Sequence, residues 1–272
     1  MTAPVRSSAA PDGVSAAEKH ADEAASPLGS GLRLFITPAV ILLLAGGALL
    51  YTWLGDGLGY LDNTELRSLN LDNIARRTSE HLQLSAVATI IVLILAIPLG
   101  IAVSRRSMRW STPIVLGIAN IGQSAPPIGV LVLLAASIGI GFWPAVIGLV
   151  LYAVLPALRN TMVGLQQVDP ALIDAARGIG MPGWRVLLKV ELPLALPLIL
   201  AGIRTTLVLL VGMVGLAIFI NAGGLGQIVV AGNSTGRDVT LFIGSLLIAL
   251  LALLIDWIAG VVNRLVQPKG LT

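Results

Sequence analysis

Cysteine is absent from this 272-residue chain. That excludes a disulfide framework, a thiolate metal site and a cysteine nucleophile. Only two histidines occur, His20 and His81, too few for a multi-histidine metal centre. Charged residues make up 11% of the chain, where a soluble domain carries about 25%. With 56% of residues apolar, too little polar surface remains to cover a globule in water. A soluble enzyme, a nucleic-acid-binding module and a disordered scaffold are thereby excluded. Aromatics are also few, at 4%, and scattered. No phosphate loop is present, because its lysine must be followed by Ser or Thr. Lys19, Lys189 and Lys269 are followed by His20, Val190 and Gly270.

What the chain does have is long uncharged runs. Leu34 to Gly55, Leu82 to Ser104 and Val239 to Ile255 are three, and Ser111 to Leu158 and Thr205 to Gly236 are longer. A bilayer core about 30 Å thick takes about 20 helical residues. Ser111 to Leu158 therefore reads as two spans joined by a turn at Gly139–Pro144, and Thr205 to Gly236 as the rest of one span followed by a loop, Asn221–Gln227. Six spans result, near 34–54, 82–104, 112–137, 143–161, 195–220 and 240–262. The runs are continuously apolar, without the period-two alternation of barrel strands, so the fold class is an all-α membrane bundle. Residues 1–30 are rich in Ala, Ser, Pro and mixed charge and read as a disordered tail. The apolar run behind them exceeds a signal-peptide core, so the first span reads as a retained helix. The chain then divides into that tail, a first helix and outer loop at 31–78, and a transmembrane domain at 79–270.

Cations set the orientation. With the N-terminus in the cytoplasm, twelve Lys and Arg fall inside, four outside (Arg67, Arg76, Arg77, Arg237), and Arg204 within a span. This asymmetry predicts both termini in the cytoplasm.

Pro and Gly are dense within the spans. The run Gln123-Ser124-Ala125-Pro126-Pro127 removes two backbone donors at mid-span beside two polar side chains. Such a break is tolerated where it packs in protein or lines a water-filled path. Gln123, Ser124, Pro126 and Pro127 are therefore candidate path or gate residues, together with Asn221, Gly223, Gly224 and Gly226 of the turn after the fifth span.

One polar island interrupts the membrane domain, at 168–193. Asp169 suits an N-cap and Pro170 the first helical position. A short helix follows through Arg177, with Leu172, Ile173 and Ala176 forming one apolar face, and Gly178 or Gly180 supplying a left-handed end. A second helix, Arg185 to Leu192, ends at Pro193. Periodicity leaves two readings even: an interfacial helix on the lipid, and a peg for a groove on a soluble partner.

Asp174-Ala175-Ala176, three residues, Gly180, nine residues, then Val190-Glu191-Leu192-Pro193 resembles the EAA loop of permease subunits of ATP-binding-cassette importers, with Asp for Glu and Val for Ile. Leu155–Thr161, Lys189–Pro197, Ala201–Thr205 and Asn221–Gly226 are similar to the branch that imports glycine betaine, choline, carnitine and related osmoprotectants. The resemblance runs from about Ser79 to Gly270. It implies a type I importer bundle whose loop couples to cytoplasmic ATP-binding-cassette subunits through Asp174, Ala175, Ala176, Gly180, Leu192 and Pro193. It also implies an extracytoplasmic solute-binding protein and a second permease chain, the same or homologous, in a bacterial inner membrane. This chain then needs no cofactor, since ATP and Mg belong to partner subunits, and is a transport subunit rather than an enzyme. The competing expectation is a stand-alone carrier or channel, which has no need of the 168–193 element.

The charges left within the spans are few. Asp256 stands eight residues before Arg264, about 12 Å along a helix. It reads as a structural ion pair or a bundle-facing group near the interface. Arg204 reads as a structural residue able to snorkel. No aromatic cage for a quaternary ammonium is visible, which places high-affinity selection on the external binding protein.

Overall fold

A computed structural model describes residues 27–59 and 61–266. The described residues are helical apart from short turns, as the continuous apolar runs require. Helix α1 (Pro27–Leu58) carries the first apolar stretch, Phe35–Gly55. Residues 1–26, most of the expected tail, lie outside the described residues. A short helix α2 (Asn63–Leu69) follows, started by a capping box. The Asp62 carboxylate accepts from the N–H groups of Thr64 and Glu65 at 2.9 Å, and Glu65 Oε2 accepts from the Asp62 N–H at 3.0 Å. The Glu65 N–H, with that of Thr64 and the paired guanidinium of Arg237, holds the Asp62 carboxyl below its ordinary range.

Helix α3 (Leu71–Ser104) begins at the Asn70 cap, so it starts eleven residues before the expected 82–104 span. At about 1.5 Å per residue it is longer than a bilayer core is thick. A 3₁₀ turn (Arg106–Ser111) leads to α4 (Thr112–Ser124) and α5 (Pro127–Ile138), which are bent by 96° at Ala125-Pro126. The expected break in the third span is thus a sharp one. Prolines 126 and 127 cannot donate to the carbonyls of Gly122 and Gln123, and Ala125 takes the extended conformation favoured before proline (ψ 144).

Gly139 and Gly141, both at positive φ, reverse the chain into α6 (Phe142–Gln166). This helix is the centre of the core. Leu149, Ala153 and Leu158 pack with Leu84, Ala88 and Val92 of α3 and with residues further along the chain. Small residues at these seams let the backbones approach closely, the usual packing device inside membranes.

The chain then runs through α7 (Pro170–Gly178), α8 (Gly183–Val186), a π-helical turn (Leu187–Glu191), α9 (Leu192–Val214) and a 3₁₀ turn (Gly215–Ile220). The segment expected to end at Pro193 does not end there: Gly183 to Ile220 is one apolar helical run. The π turn explains it. The Leu192 N–H bonds Leu187 O, a five-residue step. That widened register makes room for a proline that lacks a donor.

After a turn, α10 (Gly226–Thr235) and α11 (Asp238–Val266) complete the described residues. The sequence reading had only a loop where α10 forms. At Gly232 and Gly244, α10 and α11 approach so closely that an added Cβ would lie within 3.0 Å of the facing backbone. Among the described residues, five helical stretches are long and apolar enough to cross a membrane, and the bent α4–α5 pair passes the same test when its two halves are taken together. Exposed Phe35, Leu42, Leu43, Ile94, Ile118 and Phe242 clothe the outside with apolar side chains, as a lipid-embedded bundle requires.

Candidate functional site

The bundle has two ends. The turn after Ile220 lies at one, with the N-terminal part of α3. The 168–182 loop lies at the other, with the C-terminal end of α3.

At the loop end, Asp169 Oδ1 accepts from the Ala171 N–H at 2.9 Å and Pro170 takes the first helical position. Helix α7 ends in a Schellman motif. The Met181 N–H bonds Ala176 O at 3.2 Å and the Gly180 N–H bonds Arg177 O at 2.9 Å, with Gly180 at φ +84. Gly180, rather than Gly178, therefore supplies the left-handed residue. The expected apolar face divides. Ala176 is buried and Ile173 joins the cluster of Leu165, Val168, Ala195 and Ile199, while Leu172 turns outward. Asp174 and Ala175 are exposed beside Leu172, Ile179 (81% exposed) and Trp184. Arg185 lies over the Trp184 ring at 5.1 Å. Leu192 and Pro193 stand apart from that surface, half-buried in the first turn of α9, where Leu192 packs on the same cluster.

Two ion pairs join helices here, one at the loop and one deeper along α9, and neither partner is visible in the sequence. Glu191, 4% exposed, accepts a hydrogen bond from Arg105 Nη1 at the end of α3 at 3.0 Å, and Arg105 Nη2 stands 2.6 Å from its other oxygen as an ion-pair contact. The structural ion pair expected of Asp256 forms with Arg204, whose Nε and Nη2 donate to its two oxygens at 2.5 and 2.6 Å. Residues eight apart on one helix are too distant to meet, whereas α9 and α11 are packed neighbours. The pair borders a groove of about 300 Å³ lined by Leu82, Ser85, Leu207, Ile255 and Ile258.

At mid-chain, Gln123 and Pro127 are half-buried and Ser124 and Pro126 exposed. Gly122 presses on α6, where a Cβ would lie 2.7 Å from Leu151 O.

The turn after Ile220 is built from strained-for-others backbone. Asn221 is left-handed (φ 57), and Gly223 and Gly224 have φ of 87 and 91. Gly226 closes on the end of α9: a Cβ there would lie 1.9 Å from Gly215 O, so only glycine fits. Helix α3 grips the turn with two adjacent side chains. Glu80 Oε2 accepts from the Gly224 N–H at 3.0 Å and from Arg77 at 2.9 Å. His81 is fully buried; its Nδ1 accepts from the Leu225 N–H at 3.3 Å and its Nε2 donates to Val211 O at 2.8 Å. The Gly141 N–H bonds Ile220 O at 2.8 Å, tying the α5–α6 reversal to the same turn. The structure brings Asn221, Gly223, Gly224 and Gly226 together here, apart from the 123–127 bend. Glu80 and His81 escaped the sequence reading. The signal was a Glu-His pair opening an uncharged run, but nothing local says which backbone it meets.

No group of three or more acidic or histidine side chains able to hold a metal ion occurs among the described residues.

With this geometry in view, the chain can be set beside known proteins. The family model "Binding-protein-dependent transport system inner membrane component" matches residues 96–268. The glycine betaine/carnitine/choline transport system permease protein OpuCB of Bacillus subtilis is 40% identical over 72% of this chain and 89% of its own. The osmoprotectant import permease protein OsmW of Salmonella typhimurium is 40% identical over 74% of this chain and 96% of its own. Among solved structures, the MetNI methionine ABC transporter in an inward-facing conformation gives a TM-score of 0.62 at 27% identity, covering 72% of this chain and 96% of that one. The all-α bundle expected from the apolar runs is thus the fold of a known importer permease. The stand-alone carrier finds no support among these relatives. This chain belongs to the family of binding-protein-dependent transport system inner membrane components, and it is a permease subunit of an ATP-binding-cassette importer.

Proposed function

We propose that this chain forms the translocation path for a compatible solute of the glycine betaine, choline and carnitine class, and hands ATP-driven motion to that path through its 168–193 loop. The observation that carries the coupling reading is the capped, Schellman-terminated α7, which presents exposed Asp174, Ala175, Leu172, Ile179 and Trp184 at one end of the bundle. Apolar and aromatic side chains around one carboxylate, on a rigid corner, suit a groove on a soluble protein. Separate cassette subunits bind ATP and Mg and close on each other. The docked helix follows them, and the spans rock in a hinge or shear motion. Leu192 and Pro193, packed at the base of α9, pass the motion into the bundle. The chain carries no phosphate-loop lysine, so it is a transport subunit without ATP chemistry of its own.

In this reading the loop end and both termini face the cytoplasm of a bacterial inner membrane. The Asn221 turn faces outward, where a solute-binding protein delivers cargo. A second permease chain completes the path, with Gln123–Pro127 and Asn221–Gly226 lining or gating it. The chemical class of the cargo rests on the relatives that match across most of the chain. The test is uptake of labelled glycine betaine, choline and carnitine, at high osmolarity, by cells of the source organism that express this chain. Uptake of at least one, lost when this chain is deleted, is expected. Uptake of none, with assembled complex in the membrane, overturns the solute class.

A further inference from the structure

The grip of α3 on the turn after Ile220 assigns a task to two residues that no motif marks. Glu80 and His81 are adjacent, yet each bonds a different N–H of one short turn, across 144 residues of sequence: Gly224 for Glu80, Leu225 for His81. Adjacent helical side chains point about 100° apart, so two such bonds to one turn require the turn to wrap the helix at that point. The glycines permit it. A Cβ on Gly223 would lie 2.6 Å from Glu80 Oε2, and Gly224, at φ +91, holds a backbone conformation that a side chain would strain. The turn is shaped to the two side chains.

His81 does more than hold the turn. Its second nitrogen donates to Val211 O on α9, in the same core layer as Leu225 and Ile228. Accepting at Nδ1 and donating at Nε2 fixes one neutral tautomer. The buried imidazole therefore joins α3, α9 and the turn at one point. Glu80 is held in turn by Arg77, one helical turn earlier.

We propose that Glu80 and His81 are positioning residues that latch the Asn221–Gly226 turn, and that this latch sets the rate at which solute enters the path. The proposal deepens the reading of this turn as a gate and rests on it. With the latch made, the turn's backbone N–H groups point into the protein. With it broken, Gly223 and Gly224 leave the turn free to move, and the gate loses its set position.

The absence of cysteine allows a direct test. An Ala222→Cys label site is placed in the assembled complex in nanodiscs, where both faces are accessible, and its rate of modification by a charged maleimide is measured. His81→Phe fills the space but offers neither bond, and Glu80→Ala removes the other. His81→Phe is expected to raise the labelling rate about tenfold, as loss of a buried hydrogen bond implies, and Glu80→Ala, which removes a part-buried one, about threefold. His81→Asn sets an acceptor near the place of Nδ1, and Glu80→Gln retains one for the Gly224 N–H; each is expected to recover most of the protection. Uptake is measured in parallel, per assembled complex. In His81→Phe and Glu80→Ala the maximal rate falls, while the half-saturating concentration, set by the binding protein, stays put. Unchanged labelling in both variants overturns the latch. Faster labelling with unchanged uptake overturns the turn's role as a gate and leaves family and fold untouched.

Discussion

Arg204 and Asp256 meet about 18 Å along α9 from Leu192, well inside a bilayer about 30 Å thick. A lone ionised side chain there costs on the order of 3 kcal/mol or more. The bidentate contact offsets that cost by giving each charge its counter-charge. The pair therefore acts as a unit. Asp256→Ala, which strands the guanidinium, is expected to lower stability by about 3 kcal/mol. The double replacement Arg204→Met with Asp256→Leu is expected to stay closer to the parent, because no charge remains to be compensated. Thermal unfolding of the purified chain in detergent checks the order. A double variant weaker than Asp256→Ala would show that the pair contributes through more than mutual neutralisation.

Among elements, α7 and its corner have the clearest division of labour. Asp169, Pro170 and Gly180 set where the helix starts and stops, Ala176 and Ile173 fasten it to the bundle, and Asp174 and Ala175 are left facing out. Gly180 has φ +84 with open space around its missing Cβ. A side chain there strains the backbone by about 1 kcal/mol or more without creating a clash. Gly180→Val is thus expected to misaim the helix without disturbing the spans. Asp174→Lys reverses a charge on the exposed face and leaves the fold alone. In reconstituted complex, both variants are expected to insert normally and to bind the loaded binding protein with unchanged affinity. Both are expected to lose solute-stimulated ATP hydrolysis and uptake, by tenfold or more. Full stimulated hydrolysis in both would return this helix to the lipid surface.

For the whole molecule, the first question is which way it sits. Arg105, Arg159, Arg177, Arg185, Lys189 and Arg264 gather toward the loop end, and Arg67, Arg76, Arg77 and Arg237 toward the turn end. The rule counts Lys and Arg rather than net charge, and the loop end holds more of them. The loop end is therefore expected in the cytoplasm. A Gly183→Cys variant, exposed on the loop and alone in a cysteine-free chain, is expected to react with an impermeant maleimide in inverted vesicles and not in intact cells. Labelling in intact cells reverses the orientation.

Much of the architecture was legible in the sequence because a bilayer imposes it through composition. Apolar runs must be helices, since no water is present to satisfy backbone groups. Pro126-Pro127 had to break the third span, since two donors are missing. Asp169-Pro170 had to open α7, and Gly178 or Gly180 to close it, since caps and left-handed residues are local properties. What the sequence could not place depended on which helix lies beside which. Pro193 looked like a stop and is not one, because a π turn widens the register around it. Asp256 read as one half of a structural ion pair, but its partner, Arg204, stands on another helix. The Asn221–Gly226 glycines were visible, but Glu80 and His81, which they are shaped to fit, stand 144 residues away from their hydrogen-bond partners. Local chemistry sets where each helix begins, bends and ends. Packing alone decides which buried polar groups become partners, because in a protein interior an unpaired group is costly and any neighbour able to pair with it will serve.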